Sequence, residues 1–242
     1  MLLLFISHML LLYPTLRPLS QWWGRVVTSF ETKDKEVWLT IDDGPTEDTL
    51  AMLDLLDARD AKATFFVKGS LASADSETVR EIVARGHSVG NHSYTHPSGS
   101  FWCLGPARLS YEVSAADEVL YGSGQVTSVF RAPVGMKNWF VHPILERFGK
   151  TLIGWSVRAF DGVRFDPTRA SEVILRRISP GSIVLLHEGR RDARTGARIN
   201  VELLSRVLDG LSQRGYRAVL PDATRFLPAV SPLRGEFRRA SG

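Results

Sequence analysis

Short apolar runs alternate with amphipathic segments along the chain from about residue 36 onward. Runs that end at Gly, Pro or acidic residues are typical of buried strands, whereas apolar positions three or four apart are typical of helices. The apolar runs predict strands at Val37–Ile41, Ala63–Val67, His87–Gly90, Ser128–Arg131, Thr151–Ser156, Ser182–His187 and Arg217–Leu220. The amphipathic segments predict helices at Thr46–Arg59, Ser76–Arg85, Arg108–Tyr121, Trp139–Phe148, Pro167–Ile178 and Val201–Gln213.

Two of the predicted helices carry an apolar stripe. In the first helix, Leu50, Leu53 and Leu56 recur at helical spacing and are expected to face the core. The stripe of the third helix consists of Leu109, Val113, Ala116 and Leu120. We therefore expect both helices to pack against a sheet.

The alternation of strands with helices indicates an α/β fold. Strands that are apolar throughout favour a parallel sheet that is covered on both faces. An open doubly wound sheet and a closed βα barrel both satisfy this pattern. The first strand is not followed by G-x-G-x-x-G, and the sequence contains no Walker-type phosphate loop. The nucleotide-binding form of the open sheet therefore loses support.

Composition narrows the class of protein only slightly. A chain of 242 residues suits one large α/β domain or two small ones, and its net charge of +4 fits a solvated basic surface or an anionic partner. The sequence contains no Cys/His finger or aromatic ribonucleoprotein strand, so a nucleic-acid partner is not expected. Cys103 is the only cysteine, which excludes a disulfide framework, and we expect it to be a buried or half-buried structural thiol.

The two ends of the chain differ from the part between them. Residues 1–30 begin with an apolar stretch that is too short for an ordinary membrane span and lacks the basic region and cleavage signal of a signal peptide. We expect a helix that packs on the domain or lies in a membrane interface through residues 1–16, in preference to a weak uncleaved anchor. Residues 31–228 form the predicted main domain, and residues 229–242 form a loose basic tail.

Polar residues collect just after the carboxyl ends of the predicted strands. In α/β folds, the loops beyond these strand ends build the active site. The polar positions are Asp42-Asp43, Asn91–His96, Arg131–Gly135, Asp161 and His187. We therefore expect them to meet at one edge of the sheet.

His92 and His96 are four residues apart, a spacing that places both imidazoles on one face of a helical turn. A carboxylate from the end of the first strand would complete a metal site of two His and one Asp, with positions left open for water and substrate. One of the adjacent aspartates would bind the metal, and the other would accept a proton from water. The alternative is that Asp42 and Asp43 only cap a helix or form an Asx turn.

Taken in order, these segments resemble the polysaccharide deacetylases, which are the NodB-homology domains of carbohydrate esterase family 4. The matching segments are "TIDDGP" at 40–45, "HSYTH" at 92–96, "RAPVG" at 131–135, Asp161 and "LLH" at 185–187. The resemblance covers about residues 36–222 and implies a distorted (β/α) barrel of about seven parallel strands. It also implies a hydrolase, not a peptidase, that removes an N-acetyl group, or sometimes an O-acetyl or N-formyl group, from a sugar.

The resemblance implies a role for each matching residue. Asp42 is similar to the general base, and His187 is similar to the general acid that protonates the leaving amine. The implied metal ligands are Asp43, His92 and His96. The implied cofactor is one divalent metal, Zn²⁺ before Co²⁺ or Ni²⁺.

Other matching residues would act around this centre. Arg131 and Asp161 are similar to residues that hold the base and the acid in orientation. The candidate contacts to the acyl group or the oxyanion are Pro133, Val134, Trp155 and Leu185. Ordinary packing in the barrel core explains Trp155 and Leu185 equally well.

The sequence departs from the family pattern in three places. Ile41 and Val134 stand where many members have an aromatic residue, and "RAFDG" (158–162) keeps only Asp161 of a D-x-x-D-W motif. These changes affect substrate contacts more than the metal site. A site shaped for an unusual glycan or a lipid-linked sugar fits them.

Three functions remain open on these grounds. The first is N-deacetylation of an N-acetylated glycan, and the second is deformylation or deacetylation of a lipid-linked sugar at the membrane. The third is a non-catalytic glycan-binding barrel, which the presence of all five catalytic and metal positions disfavours. The apolar N-terminal segment favours a location in the cell envelope or at a membrane over the free cytoplasm.

Overall fold

The computed structural model describes residues 12–159, 166–192 and 195–228, and ten strands within them form one sheet. The strands are β1 (Val27–Phe30), β2 (Glu36–Gly44), β3 (Ala63–Val67), β4 (Ser88–Asn91), β5 (Val129–Phe130), β6 (Thr151–Leu152), β7 (Val157–Arg158), β8 (Ser182–His187), β9 (Arg217–Ala218) and β10 (Phe226–Pro228). The described helices are α1 (Thr49–Asp57), α2 (Gly69–Ala74), α3 (Ser76–Ala84), α4 (Pro106–Gly122), α5 (Val141–Arg147), α6 (Pro167–Arg177) and α7 (Ile199–Gln213).

The sheet curls into a barrel. Its strands follow the order β10-β1-β8-β2-β3-β4-β5-β6, with β7 beside β8 and β9 beside β2. Strands β2 to β9 pair in parallel, whereas β1 is antiparallel to β8 and β10. A bridge between Val27 and Ile153 connects the end of β6 back to β1. The predicted α/β fold with a distorted barrel is confirmed.

Alternation along β2 separates the barrel interior from the layer of helices. Val37, Leu39 and Ile41 pack in the large apolar cluster with the helices. Trp38 packs in a different cluster, with Phe66, Trp155 and Leu185. Because side chains alternate along a strand, Thr40 and Asp42 share the face of Trp38 and point into the barrel. β2 therefore delivers a carboxylate to the carboxyl end of the barrel interior.

The predicted apolar stripe is confirmed for α4 and is partly wrong for α1. Leu109, Val113, Ala116 and Leu120 of α4 are all buried, as expected. In α1, Leu53 and Leu56 are buried, but Leu50 is 51% exposed. α1 starts only at Thr49, and its inward face consists of Thr49, Met52, Leu53 and Leu56.

The sequence pattern missed several short elements. β1, β7 and β10 have four, two and three residues, and no predicted strand covers them. The expectation for Cys103 was wrong, because its thiol is exposed. Cys103 ends a one-turn 3₁₀ helix in which Phe101 is the buried residue.

The described part of the N-terminal segment packs beside the barrel mouth. The fully buried Lys137 donates from Nζ to the backbone oxygens of Arg17 (2.9 Å) and Pro18 (2.8 Å). Within the three described ranges, no helix has the length and apolarity that crossing a bilayer requires. Residues 1–11 and 229–242 lie outside the described residues, so the domain boundaries remain predictions.

Candidate active site

Two neighbouring parallel strands bring Asp42 and His187 side by side. β2 and β8 pair in a register that aligns the Cα atoms of these two residues. The backbone N–H of Glu188 also donates to the carbonyl of Asp42, at 3.1 Å. The two residues for which proton-transfer roles were expected therefore stand together at the carboxyl end of the sheet.

A β-bulge turns both adjacent aspartates toward one imidazole. In a regular strand, the side chains of Asp42 and Asp43 would point to opposite faces. The pairing of β2 with β3 instead shifts register between Asp42 and Gly44, and Asp43 has φ 82°. Asp42 Oδ2 and Asp43 Oδ1 consequently lie 3.6 and 3.9 Å from His92 Nε2.

A loop, not a helical turn, brings His92 and His96 together. The residues after Asn91 carry no helical assignment, and Ser93 and His96 have φ values of 65° and 53°. Thr95 fixes the loop, because its N–H and hydroxyl donate to the buried carboxylate of Glu112 at 2.8 and 2.6 Å. The two imidazole rings are 4.6 Å apart between centroids. The two imidazoles come together as expected, but the helical turn that was predicted to carry them is wrong.

The donor set of Asp43, His92 and His96 fits a divalent metal ion. One ligand atom from each lies within 4.8 Å of the others, and Asp43 Oδ1 is 3.5 Å from His96 Nε2. The carbonyl of Arg131 lies 2.8 Å from His92 Nδ1, so the N–H there leaves the Nε2 lone pair facing the site. Burial lowers the pKa of His92, and it lowers the pKa of His96 to about 4. Both imidazoles are therefore neutral at neutral pH, as metal ligation requires.

The pKa of Asp43 lies below that of a free aspartate. Burial alone would raise the pKa of Asp43, but His92, Lys68 and His96 together bring it below its ordinary value. Lys68 Nζ lies 2.9 Å from Asp43 Oδ1. The sequence analysis did not identify Lys68, although it directly follows β3 at the same end of the sheet as the other polar residues.

Arg131 fixes one oxygen of Asp42. Its Nη1 donates to Asp42 Oδ1 at 2.7 Å and to the hydroxyl of Thr40 at 2.8 Å. Its other nitrogens donate to the carbonyls of Ile153 and Gly154. Burial lowers the pKa of Arg131, and the carboxylate of Asp42 opposes that change. Arg131 thus leaves only the second carboxylate oxygen of Asp42 to face His92 and the pocket.

A cavity of about 400 Å³ opens over these groups. Its lining consists of Asp42, Asp43, His92, His96, Ala132, Val134, Gly135, Trp155, Arg158, Ala159, Leu185 and His187. Trp155 and Leu185 belong to the buried core, so their packing role is observed. They also line the cavity, and their contact with the acyl group stays a prediction. Pro133 is buried next to Val134 and does not line the cavity, and Asp161 lies outside the described residues.

Arg158 is a cavity residue that sequence reasoning missed. Its guanidinium carbon lies 5.5 Å from the centre of the Trp155 ring. Arg158 belongs to β7, a strand of two residues that the hydrophobic pattern did not predict. Its place next to Trp155 gives the cavity wall a positive charge.

Backbone strain concentrates at the site. In the described part of the chain, the non-glycine residues with positive φ are Asp43, Asp60, Ser93, His96 and Val134. All except Asp60 belong to the segments that surround the cavity. Such conformations persist only where the surrounding structure holds them. The packing of the barrel mouth therefore fixes the positions of the ligand-bearing loops.

Comparison with known proteins places this chain beside enzymes of one family. The polysaccharide deacetylase family model matches residues 30–153. Chitooligosaccharide deacetylase from Bradyrhizobium sp. (strain ANU 289) is 34% identical over 193 residues, which is 75% of this chain and 87% of that protein. Peptidoglycan-N-acetylmuramic acid deacetylase from Bacillus subtilis (strain 168) is 28% identical over 195 residues, which is 76% of this chain and 69% of that protein.

Solved structures share the fold. A family 4 carbohydrate esterase from Streptomyces lividans, in complex with acetate, has a TM-score of 0.69 and 28% identity, covering 82% of this chain and 98% of that one. A family 4 pseudoenzyme from Bacillus anthracis has a TM-score of 0.69 and 27% identity, covering 79% of this chain and 65% of that one. Since a pseudoenzyme matches as well as an esterase does, the argument for activity depends on the side chains at the site.

Proposed function

The chain belongs to the polysaccharide deacetylase family, and on that premise we propose that it is a hydrolase that removes N-acetyl groups from amino sugars of a glycan. One observation carries the proposal. Asp42, Asp43, His92, His96 and His187 converge on a single cavity at the carboxyl end of the barrel. The named relatives from Bradyrhizobium and Bacillus subtilis are deacetylases of chitooligosaccharide and peptidoglycan, which supports an N-acetylated glycan as the substrate class.

Asp43, His92 and His96 would hold one divalent cation, and zinc is the proposed metal because tetrahedral sites of imidazole and carboxylate suit it. Cobalt and nickel accept the same ligands. When bound, the cation would polarise the acyl carbonyl and lower the pKa of a water molecule. The three residues themselves contribute a fixed carboxylate and two neutral imidazoles whose Nε2 atoms face the carboxylate.

Asp42 is the proposed general base. Arg131 occupies Oδ1 at 2.7 Å, so Oδ2 is left to accept the proton of the attacking water. Arg131 also places a positive charge beside the Asp42 carboxylate, since the two groups form an ion pair of 2.7 Å. Asp42 and Asp43 thus divide two tasks that one carboxylate could not perform at the same time.

His187 is the proposed general acid. It lines the cavity, and its Cα lies beside that of Asp42 across the β2–β8 pair. From this position His187 would deliver a proton to the sugar nitrogen as the C–N bond breaks. The backbone N–H of Val134, at the cavity mouth, is the proposed donor to the oxyanion.

The proposal predicts acetate release from N-acetylated glycans. Purified protein without a metal-binding tag would be incubated with chitooligosaccharides and with peptidoglycan, with chelator and with zinc restored. We expect one metal per chain and acetate release that chelator abolishes and zinc restores. Acetate release that survives complete removal of metal, or metal binding without turnover on either glycan, would contradict the proposal.

A lipid-linked amino sugar is the second candidate substrate, and one observation favours it. Exposed aromatic and apolar side chains lie on the N-terminal segment, whose Pro18 is close to Gly135 of the cavity lining, and on the loop that carries Val134. They are Tyr13, Leu16, Leu19, Trp22, Val134 and Trp139. Trp and Tyr are enriched where proteins meet the lipid–water interface. In the sequence, Tyr13 directly follows the mostly apolar residues 1–12. Both features fit a protein that works at a membrane of the cell envelope, on a sugar carried by lipid.

Vesicle binding tests this second candidate. We expect the protein to sediment with anionic phospholipid vesicles and W22A together with W139A to weaken that binding. Y121A is the matched control, because Tyr121 is 73% exposed and lies on α4, outside the two segments that carry these side chains. Equal binding by all three proteins, or no binding by the wild type, would leave soluble glycan as the substrate.

A further inference from the structure

Glu188 is a buried carboxyl group that the mechanism above does not use. It directly follows His187 at the end of β8 and is 5% exposed. Its backbone N–H donates to the carbonyl of Asp42, which ties the ends of β8 and β2 together. A glutamate at such a position must satisfy its carboxyl group within the protein, since burying it without partners is costly.

The partners of Glu188 all come from the turn that follows β2. Oε2 of Glu188 accepts hydrogen bonds from the Thr46 hydroxyl at 2.8 Å, from the Thr46 N–H at 3.3 Å and from the Thr49 hydroxyl. Asp48, the residue before α1, makes no side-chain capping bond. Glu188 therefore supplies, from another strand, an acceptor near the positive end of α1.

The other carboxyl oxygen lies against Gly44. A Cβ atom built on Gly44 would overlap Oε1 of Glu188, so only glycine allows this approach. Oε1 is buried and has no hydrogen-bond partner among the described residues. Glu188 thus fills the space behind the turn that begins with Asp43, in addition to bonding its threonines.

The raised pKa of Glu188 is consistent with a carboxyl group that acts through its shape and its hydrogen bonds. Burial raises the pKa of Glu188 to about 7, the threonine donors oppose this, and Asp48 adds to it. A glutamine has nearly the same shape and keeps an oxygen acceptor. The chain therefore offers a conservative variant that separates the geometry of this group from its charge.

We propose that Glu188 is a positioning residue of the active site, which holds the turn that carries Asp42 and Asp43 at a fixed distance from His187. The inference rests on the proposed deacetylase function. The proposed base Asp42 and the proposed metal ligand Asp43 lie at the end of β2, and the proposed acid His187 lies at the end of β8. Glu188 directly follows His187 in the chain, and its N–H donates to the carbonyl of Asp42. Without its side chain, the hydroxyls of Thr46 and Thr49 lose their acceptor, although the Thr46 N–H still donates to Thr49 Oγ1 at 2.8 Å, and the space behind Gly44 opens.

Glu36 provides a matched control at the opposite end of β2. It is 8% exposed and accepts hydrogen bonds or ion pairs from Thr32 (2.9 Å), Arg217 (3.0 Å) and Arg225 (2.7 Å). Removing either glutamate deprives several donors of their acceptor and is expected to destabilise the fold. Of the two glutamates, only Glu188 lies at the strand ends that bear the proposed catalytic groups.

The experiment compares E188A, E188Q, T49V and E36A in the full chain, with kcat, KM, the Kd for Zn²⁺ and the Tm as readouts. We expect E188A to lower kcat or to weaken Zn²⁺ binding about 10–100-fold, the usual effect of losing a group that orients metal ligands. KM should change less than about threefold, because no substrate contact is lost. E188Q should restore most of kcat, T49V should fall between E188A and wild type, and E36A should lower Tm with kcat unchanged.

The outcomes separate the inference from the proposed function. Wild-type kcat in E188A, or parallel losses of Tm and kcat in E188A and E36A, would overturn the positioning role. If E188A does not fold, E188Q and T49V decide the question through the same readouts. If the wild type shows no deacetylation, the proposed function fails, and the Kd for Zn²⁺ of E188Q and T49V still tests whether Glu188 orders the ligand Asp43.

Discussion

At Asp42 and Asp43, adjacent and chemically identical side chains are expected to respond differently to the same substitution. Arg131 holds Asp42, whereas Asp43 faces His92 and His96. We expect D42N to keep the metal and lose about 10²–10⁴ in kcat, the usual contribution of a general base. We expect D43N to lose metal affinity first, measured as metal per chain after dialysis.

The reverse result would assign the roles the other way. If D42N loses the metal and D43N keeps it, Asp42 is the ligand and the hydrogen bond from Arg131 has a different purpose. R131K offers a milder control, since lysine keeps a charge but cannot make the several bonds of the guanidinium. A fall in kcat without loss of metal in R131K would support the orientation of Asp42.

His187 is expected to affect proton transfer alone. It lines the cavity and lies outside the metal-ligand group of Asp43, His92 and His96. H187A should lower kcat about 10²–10⁴-fold while metal content stays at the wild-type level. H142Q is the control, because His142 does not line the cavity. A loss below tenfold in H187A would point to a packing role.

The residues that sequence reasoning found and those that it missed differ in physical character. Asp42, His92 and His187 stand in motifs at strand ends, where topology alone brings them together. Lys68, Arg158 and Glu188 also lie at strand ends, but they act through neighbours that are distant in sequence, so local spacing does not reveal their roles. Their roles depend on side-chain direction and on strand pairing, which the sequence pattern does not encode.

On the scale of elements, the loop after β5 and the N-terminal segment form one wall of the cavity. A Cβ built on Gly135 would lie 2.6 Å from Pro18 and 2.6 Å from the Trp155 ring. Gly135 and Gly149 both have positive φ, but nothing lies within 4 Å of a Cβ at Gly149. We expect G149A to cost about 1–2 kcal/mol of unfolding free energy through backbone strain. G135A should cost about 1–3 kcal/mol more through overpacking, measured by urea unfolding.

The same pair of variants tests whether the wall shapes the cavity. G135A should lower kcat/KM as the loop that carries Val134 shifts, whereas G149A should leave it near the wild-type value. Equal losses of stability and of kcat/KM in both variants would mean that Pro18 does not brace this loop.

Element boundaries were predictable where apolar runs were long. Ala63–Val67 and Ser182–His187 have the bounds that the sequence predicts. The loop of His92 to His96 was not predictable, because its shape comes from Glu112 on a later helix and from strained residues. Tertiary hydrogen bonds, absent from any local pattern, selected a loop over a helical turn.

For the whole molecule, buried neutral histidines predict loss of stability in mild acid. Burial lowers the pKa of His87 to about 4, whereas an unfolded histidine titrates near 6.5. The unfolded state therefore binds more protons than the folded state between these values, and stability falls as pH decreases from about 6.5 toward 4. His87 alone would contribute about 1–2 kcal/mol to the loss between pH 7 and pH 5.

H87Q isolates this contribution. Denaturant unfolding of wild type and H87Q at pH 7 and pH 5 should show a smaller pH-dependent loss in the variant by about that amount. Glu188, whose pKa is raised, acts in the opposite direction and is unchanged between the two proteins. An identical loss in both proteins would mean that His87 titrates normally.

The sequence predicted the fold class but not how the sheet closes. Strand–helix alternation predicted a parallel α/β fold, and only the family resemblance favoured the barrel over the open sheet. Closure depends on a bridge between Val27 and Ile153, which are far apart in the chain. β1 pairs antiparallel with β8 and β10. The alternation of strands with helices in the sequence did not predict antiparallel strands.

The contact of Lys137 with Arg17 and Pro18 has a consequence for modularity. The family model begins at residue 30, yet the ammonium of Lys137 inside that match finds its acceptors before it. A chimera joined at residue 30 would inherit Asp42, the histidines and the barrel, but also a buried cation without its acceptors. The smallest portion that can be transplanted as a working unit therefore begins before Thr15, whose carbonyl accepts the Lys137 backbone N–H.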